Sequence, residues 1–330
     1  MMTSNNYKCR EIGEFEWEVH WPNVAKSNLI QSWEYGKAKS MSEGWKPIRY
    51  LWEDVSGNPI ALAQILTKSV SVWGGIARLN RGPLLIGCEN FSDDTSIKSE
   101  LISALKKLAK IKRWWVLFMA PEILSMDTPN SFLKKNRLYM RKNVHPWASA
   151  HLSLITEESD LMSNLKGRWR GSLRKAFKNQ VNVIKVKWTP EVLDELISFY
   201  DDAQKGIGFS GISPALLRHL CAASRTDWEL CYYAVRNEFT NELCGILVSV
   251  IHGDTATYLI GNTNADGRKM QANYAMLWRA IIDAKTHGCS WYDLGGLNEN
   301  TPKGVVDFKS GLNGQSYKLI GEVISLPMFC

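Results

Sequence analysis

Apolar and polar positions alternate along the chain in two recurring rhythms. Within 45–74 two strand-like stretches flank the turn residues Ser56-Gly57-Asn58-Pro59. Before them a helix is predicted from about Gln31 to Met41. After the Gly82-Pro83 break, Leu101, Leu105 and Leu108 mark one face of a helix over 97–111, followed by the apolar strand WWVLFMA. The second half repeats this order. Thr189-Pro190 and Ser213-Pro214 open two helices. Three strands follow in 229–264, with turns at Asn241-Glu242 and Gly253-Asp254, then a helix over 273–286 and a strand in CSWYDLG. Each half is thus helices, an antiparallel hairpin or meander, a helix and a strand. This predicts a duplicated α+β unit, with the cleft between the copies as the default ligand site.

Composition narrows the class. With 330 residues, 45% hydrophobic and 22% charged, the chain can bury two cores, and disordered, collagenous and coiled-coil classes are excluded. No apolar run approaches the roughly 20 residues of a membrane span. The polar, acidic N-terminus differs from a signal peptide, so the expected location is the cytoplasm. Seven scattered cysteines without a CxxC pair fit reduced thiols better than disulfides or zinc. The six histidines lack metal-ligand spacing, so no metal and no other cofactor is expected.

The net charge of +7 is unevenly spread. Lys166, Arg168, Arg170, Arg174, Lys175, Lys178, Lys185 and Lys187 occur in a stretch without Asp or Glu. Leu165, Trp169, Leu173 and Phe177, four apart, predict an apolar helical stripe flanked by these cations. A solvated face and a surface for an anionic partner (nucleotide-sugar phosphate, RNA or an acidic membrane) are the competing readings. Gly206-Ile207-Gly208-Phe209-Ser210-Gly211 spells GxGxxG but follows a predicted helix, whereas dinucleotide binding requires a preceding strand. A P-loop, a GxSxG elbow and HExxH are absent from the sequence.

The segment YDLGGLNENTPKGVVDFKSGLNGQ resembles the signature of the FemABX family of nonribosomal peptidyl transferases: a D-x-G-G turn followed by V-x-x-F-K-x-G. QSWEYGKAKS, RLNRGPLL and KGRWRGSLRKAFKNQVNV resemble further blocks of that family in the same order, spanning Gln31 to Gly314. The resemblance implies two GNAT-like subdomains side by side: 1–150, joined by the tail 314–330, and 151–313. It also implies transfer of an amino acid from aminoacyl-tRNA to an amine on a nucleotide-sugar- or lipid-linked cell-wall or polysaccharide precursor. Such a reaction belongs in the cytoplasm or at the inner membrane surface.

Carried over to this sequence, Lys309 and Phe308 match the family's F-K pair. Lys309 is expected to stabilise the oxyanion and Phe308 to stack on the donor's terminal adenine. Lys37 and Tyr258 match precursor-binding positions, and Trp33 and Arg81 fall in matched blocks. These four are the substrate-binding candidates, with turn stabilisation the competing role for Arg81. Arg168, Arg170, Arg174, Lys175 and Lys178 are the tRNA-binding candidates. Two positions depart from the family pattern. Ala120-Pro121-Glu122 stands where Asp-Pro is frequent, and the loop 206–211 lacks an arginine. Two rival readings remain. One is an acyl-CoA-dependent GNAT N-acyltransferase, for which 267–274 lacks the paired glycines of a pyrophosphate loop. The other is a noncatalytic RNA- or membrane-surface-binding module.

Overall fold

The computed structural model describes residues 2–3, 6–87, 95–125, 130–204, 211–223, 225 and 227–327. The chain runs through β1 (Met2–Thr3), β2 (Tyr7–Glu11), α1 (Glu14–His20), α2 (Trp33–Glu43), β3 (Lys46–Asp54), β4 (Pro59–Ser71), β5 (Gly74–Asn80), β6 (Leu84–Leu85), α3 (Thr95–Ile111), β7 (Trp114–Ala120), α4 (Asn130–Lys135) and β8 (Tyr139–Met140). It continues through β9 (Ala148–Ser153), α5 (Glu158–Asn164), α6 (Gly167–Lys178), β10 (Ile184–Val186), α7 (Pro190–Gln204), α8 (Pro214–Cys221), β11 (Trp228–Arg236), β12 (Leu243–His252) and β13 (Thr255–Thr263). α9 (Ala265–Met270), α10 (Ala272–His287), β14 (Trp291–Asp293), α11 (Lys303–Ser310), β15 (Gln315–Lys318) and β16 (Val323–Ser325) complete it. Two compact units result, Met1–Ala148 with Tyr317–Cys330, and Ser149–Ser316.

The first unit is built on a sheet ordered β1-β2-β3-β4-β5-β7-β16-β8, with β6 paired to β4. β5 and β7 are parallel, with α3 as the connecting helix. Period-2 alternation sends neighbouring residues of the central strands into two cores. Tyr50, Trp52, Ala63 and Ile65 pack with Leu101, Leu105 and Leu108 of α3. Leu51 and Leu62 face the other way, against Trp17 and Trp21. Trp17 stacks on Trp21 at 5.5 Å and meets Trp33 at 6.3 Å, which gives part of the tryptophan excess a packing role.

The second unit has the order β10-β11-β12-β13-β14-β9-β15. Again the last strand of the meander and the strand after the helix, β13 and β14, are parallel. The repeat read in the sequence therefore appears as β3-β4-β5-α3-β7 and β11-β12-β13-α10-β14. In each, the last of these strands gains an antiparallel neighbour from elsewhere in the chain, β16 on β7 and β9 on β14. The short α1, α9 and α11 and the strand β9 were not anticipated from periodicity. Elements of three to eight residues carry too few repeats to stand out.

Candidate active site

The parallel pair β13–β14 supplies the geometry of the site. Thr255, Ala256 and Thr257 pair with Trp291, Tyr292 and Asp293. Beyond that point β14 ends while β13 runs on to Thr263 with β12. Val248 pairs with Ile260 and Ser249 with Tyr258, so Leu259 is an extra residue. This bulge increases the local twist beside Tyr258. Where the strands part, the chain turns through Gly295 at φ +68. A Cβ there would lie 2.6 Å from the Tyr258 carbonyl oxygen, so both conformation and space require glycine.

Asp293 holds this turn. Its Oδ1 accepts from the Gly295 amide at 2.9 Å and lies against Ser149 Oγ, which is also 2.8 Å from the Gly295 carbonyl oxygen. His151 Nε2 is 3.8 Å from Asp293 Oδ2. Asp293 is the aspartate of the D-x-G-G turn in the sequence, whereas Ser149 and His151 lie on β9, a six-residue strand that periodicity does not mark.

Lys309, from α11, reaches into this turn. The residue is 5% exposed; its Nζ donates to the Gly296 carbonyl oxygen at 3.2 Å and lies 4.6 Å from the Tyr258 ring centroid. Burial lowers its pKa to about 8, against the opposing attraction of Asp293. The Tyr258 phenol is pushed up by burial. An ammonium has three donors. With the carbonyl of Gly296 engaging one and an aromatic face supporting the charge, Lys309 is a preorganised cation able to donate to a developing oxyanion.

Phe308 is half-buried. Its ring stacks on Trp169 at 6.1 Å and meets Tyr274 edge-on at 5.1 Å. Trp169 is the buried anchor of α6, the basic helix, and Gly311 fits against the same indole: a Cβ would lie 2.5 Å from it. The Lys166 amide donates to the Gly311 carbonyl at 2.9 Å. The expected four-residue stripe is corrected here. Leu165, just before the helix, is buried with Trp169 and Leu173 as expected, whereas Phe177 is 51% exposed and Ala176 is buried in its place. Each four-residue step advances about 40° around a helix with 3.6 residues per turn, so the stripe drifts outward by Phe177 while Ala176 stays in line. Arg168, Arg174, Lys175 and Lys178 are exposed; Arg170 is half-buried and donates to the Ser163 carbonyl at 3.0 Å.

The remaining substrate-binding candidates lie in the first unit. Trp33 begins α2, and the Arg49 guanidinium sits 3.5 Å from its ring centroid. Lys37, one turn later, is exposed. The start of α2 is pinned to the sheet by Gln31, whose Nε2 donates to the Gln64 carbonyl at 3.1 Å and whose Oε1 accepts from the Gln64 amide at 2.7 Å. Arg81 is 5% exposed and pairs with both oxygens of Glu122, at 2.9 and 2.8 Å, and with the Tyr317 hydroxyl at 2.9 Å. The glutamate at the position of the departing Ala-Pro-Glu motif is therefore engaged with Arg81.

The GxGxxG stretch lies, from Gly206 to Ser210, outside the described residues. In the 267–274 stretch, the amides of Gly267, Arg268, Gln271 and Tyr274 are each hydrogen-bonded within α9 and the start of α10. Burial pushes the Cys9, Cys221, Cys231 and Cys289 thiols up to about 12, which leaves them protonated and unreactive. Among the described residues, no group of His, Cys, Asp and Glu could hold a metal, and no helix is long and apolar enough to cross a membrane.

Residues 237–328, which include the turn, Lys309 and β16, match the FemAB family. Over these residues the chain is similar to the Fem family. Its fold is similar to that of FemX, with a TM-score of 0.78 at 16% identity, 97% of each chain being covered. It is also similar to a tandem GNAT protein from the clavulanic acid pathway, with a TM-score of 0.55, 9% identity and coverage of 97% and 98%. The C-terminal domain of a putative lysylphosphatidylglycerol synthetase from Agrobacterium fabrum gives 0.54 at 12% identity, covering 90% of this chain and 88% of that one. No curated protein sequence matches. The matched signature region agrees with the resemblance to the Fem family, and the shared fold bears out the expected two GNAT-like subdomains.

Proposed function

We propose that this Fem-like chain transfers an amino acid from aminoacyl-tRNA to an amine on a cell-wall or cell-surface polysaccharide precursor. The observation that carries this reading is the buried Lys309 ammonium, held at the parting of β13 and β14 by Gly296 and Tyr258. The acceptor amine attacks the ester carbonyl, forming the new C–N bond and a tetrahedral oxyanion. Lys309 donates to that oxygen. Collapse breaks the ester C–O bond, and the ribose oxygen leaves as a hydroxyl, taking up a proton equivalent to the one that the attacking nitrogen gives up. Aminolysis of an ester is downhill, so alignment and oxyanion stabilisation are sufficient and no covalent enzyme intermediate is required.

The exposed cations of α6 would meet the tRNA backbone; Phe308 braces this helix as well as adjoining Lys309. Lys37 and Trp33 remain the candidates for the phosphorylated acceptor, with Lys37 the accessible cation, whereas the buried Arg81 is engaged by Glu122. A tRNA donor places the reaction in the cytoplasm. The acyl-CoA alternative is disfavoured because 267–274 lacks the paired glycines of a pyrophosphate loop. A donor assay decides between them. With labelled amino acid, charged tRNA and a precursor extract, transfer should be lost on RNase treatment and survive removal of coenzyme A. The opposite pattern would select the acyl-CoA reading, and RNA binding without either transfer would select the noncatalytic module.

A further inference from the structure

The β4–β5 hairpin of the first unit turns through two residues, Val72 and Trp73, between Ser71 and Gly74. Such turns favour Asn, Asp and Gly. Here the tip carries large apolar side chains held out in solvent: Val72 is 90% exposed, Trp73 71% and Val70, just before them, 61%. The Trp73 amide donates to Ser71 Oγ at 3.0 Å, which ties the turn locally.

The hairpin base is fixed against the end of α3. Gly75 pairs with Trp114, and its amide donates to the Arg113 carbonyl at 3.2 Å. At Gly74 a Cβ would fall 2.4 Å from the Trp115 indole nitrogen and 2.5 Å from the Arg113 carbonyl oxygen. This contact brings Ile111, 64% exposed, to the same end of the sheet, together with the exposed Lys107, Lys112 and Arg113. Lys46 pairs at that end too, opposite Thr67, with Lys68 the next residue. Of the acidic residues nearby, Glu11 is paired with Lys112, and Glu43 with Lys39.

We propose that this end of the first unit docks on an anionic lipid bilayer, with Val72 and Trp73 entering the headgroup boundary and the basic residues behind them meeting lipid phosphates. A narrow apolar prong suits a fluid surface. A stable protein partner would need a patch of about 800 Å² per side, which a two-residue tip does not present. Tryptophan is favoured at the membrane interface because its ring is apolar and its N–H is polar. Each cation close to an anionic surface strengthens partitioning by about fivefold. Such docking would place the enzyme beside a lipid-linked precursor.

The test is flotation of the full chain with vesicles of phosphatidylglycerol and phosphatidylcholine, and with phosphatidylcholine alone, at about 0.1 M salt. Wild-type protein should float with the anionic vesicles. The double variant Val72→Ser/Trp73→Ser should bind at least tenfold more weakly with its melting temperature unchanged, as should Lys107→Glu/Arg113→Glu. A control with the same charge change on α4, Lys134→Glu/Lys135→Glu, should keep wild-type binding. Equal loss in that control would mean attraction to net charge alone and would overturn the assignment. So would absence of wild-type binding, or a wild-type dimer that Trp73→Ser dissolves. The vesicles contain neither donor nor acceptor, so failure here leaves the proposed reaction as it stands. Transfer to a water-soluble acceptor should be unchanged in the hairpin variant.

Discussion

Trp169 stacks on Phe308, the residue next to Lys309, so the buried anchor of the basic helix and the signature helix form one packed group. Disturbing the indole should therefore reach both the exposed cations of α6 and Lys309. Trp169→Leu should lower stability by about 3 kcal/mol, as expected for truncating a buried aromatic, and reduce both RNA affinity and transfer. Arg168→Glu/Arg174→Glu should act differently, weakening RNA binding in a salt-dependent way while leaving the melting temperature nearly unchanged. RNA affinity measured across a salt series separates the two. Unchanged affinity in the charge variant would return α6 to a solvated face.

Lys309→Met should abolish most transfer, by about 10²–10³-fold, the cost of removing one oxyanion donor. It should also stabilise the fold near pH 7. Burial holds the folded pKa at about 8, below the ordinary 10.5, so the unfolded chain binds the proton more tightly. The penalty is fully present below pH 8 and is relieved as pH rises from about 8 towards 10.5. The variant lacks it and should gain on the order of 2 kcal/mol at neutral pH. Denaturant melts of both proteins at pH 7 and 9.5 check this, and the gap should narrow at the higher pH.

The same titration should appear in catalysis. If the ammonium is the active form, kcat falls as pH rises through about 8. Tyr258→Leu removes an aromatic face that favours the charged form, so the falling limb should move to lower pH by up to about one unit. A limb that stays in place would show that Tyr258 does not support the charge.

Gly295→Ala should cost about 1–3 kcal/mol, because the residue has φ +68 and the new methyl would meet the Tyr258 carbonyl oxygen. Transfer should fall further than stability alone explains, since Lys309 is bonded to the neighbouring Gly296. Gly296→Ala, where a Cβ meets nothing within 4 Å, is the matched control and should be milder. Thermal melts paired with initial rates distinguish the two positions.

Much of this was legible in the residues. The repeated order of helix and strand came from long periodic segments, where period and length agree. The signature turn was visible as Asp293, Gly295 and Gly296, whereas Lys309 stood out only through the resemblance to the Fem signature. Burial was less visible. Nothing in the local pattern of Phe308 says that Trp169 and Tyr274, both far away in sequence, already pack its ring. Arg81 could equally have faced a phosphate; its bidentate pairing with Glu122 depends on a contact between two separate loops. The stripe ending at Phe177 failed because a spacing of four is slightly longer than a helical turn.

The pairing of β16 with β7 gives the molecule an order of assembly. Val323, Ile324 and Ser325 supply a neighbour to Met119, Phe118 and Leu117 of the first unit. During synthesis that strand emerges after every residue of the second unit, so the second can fold with its own chain while the first waits with one side of β7 unpaired. An open strand edge is a site for mispairing. Between emergence of residue 120 and residue 325 that edge of β7 is therefore open to mispairing.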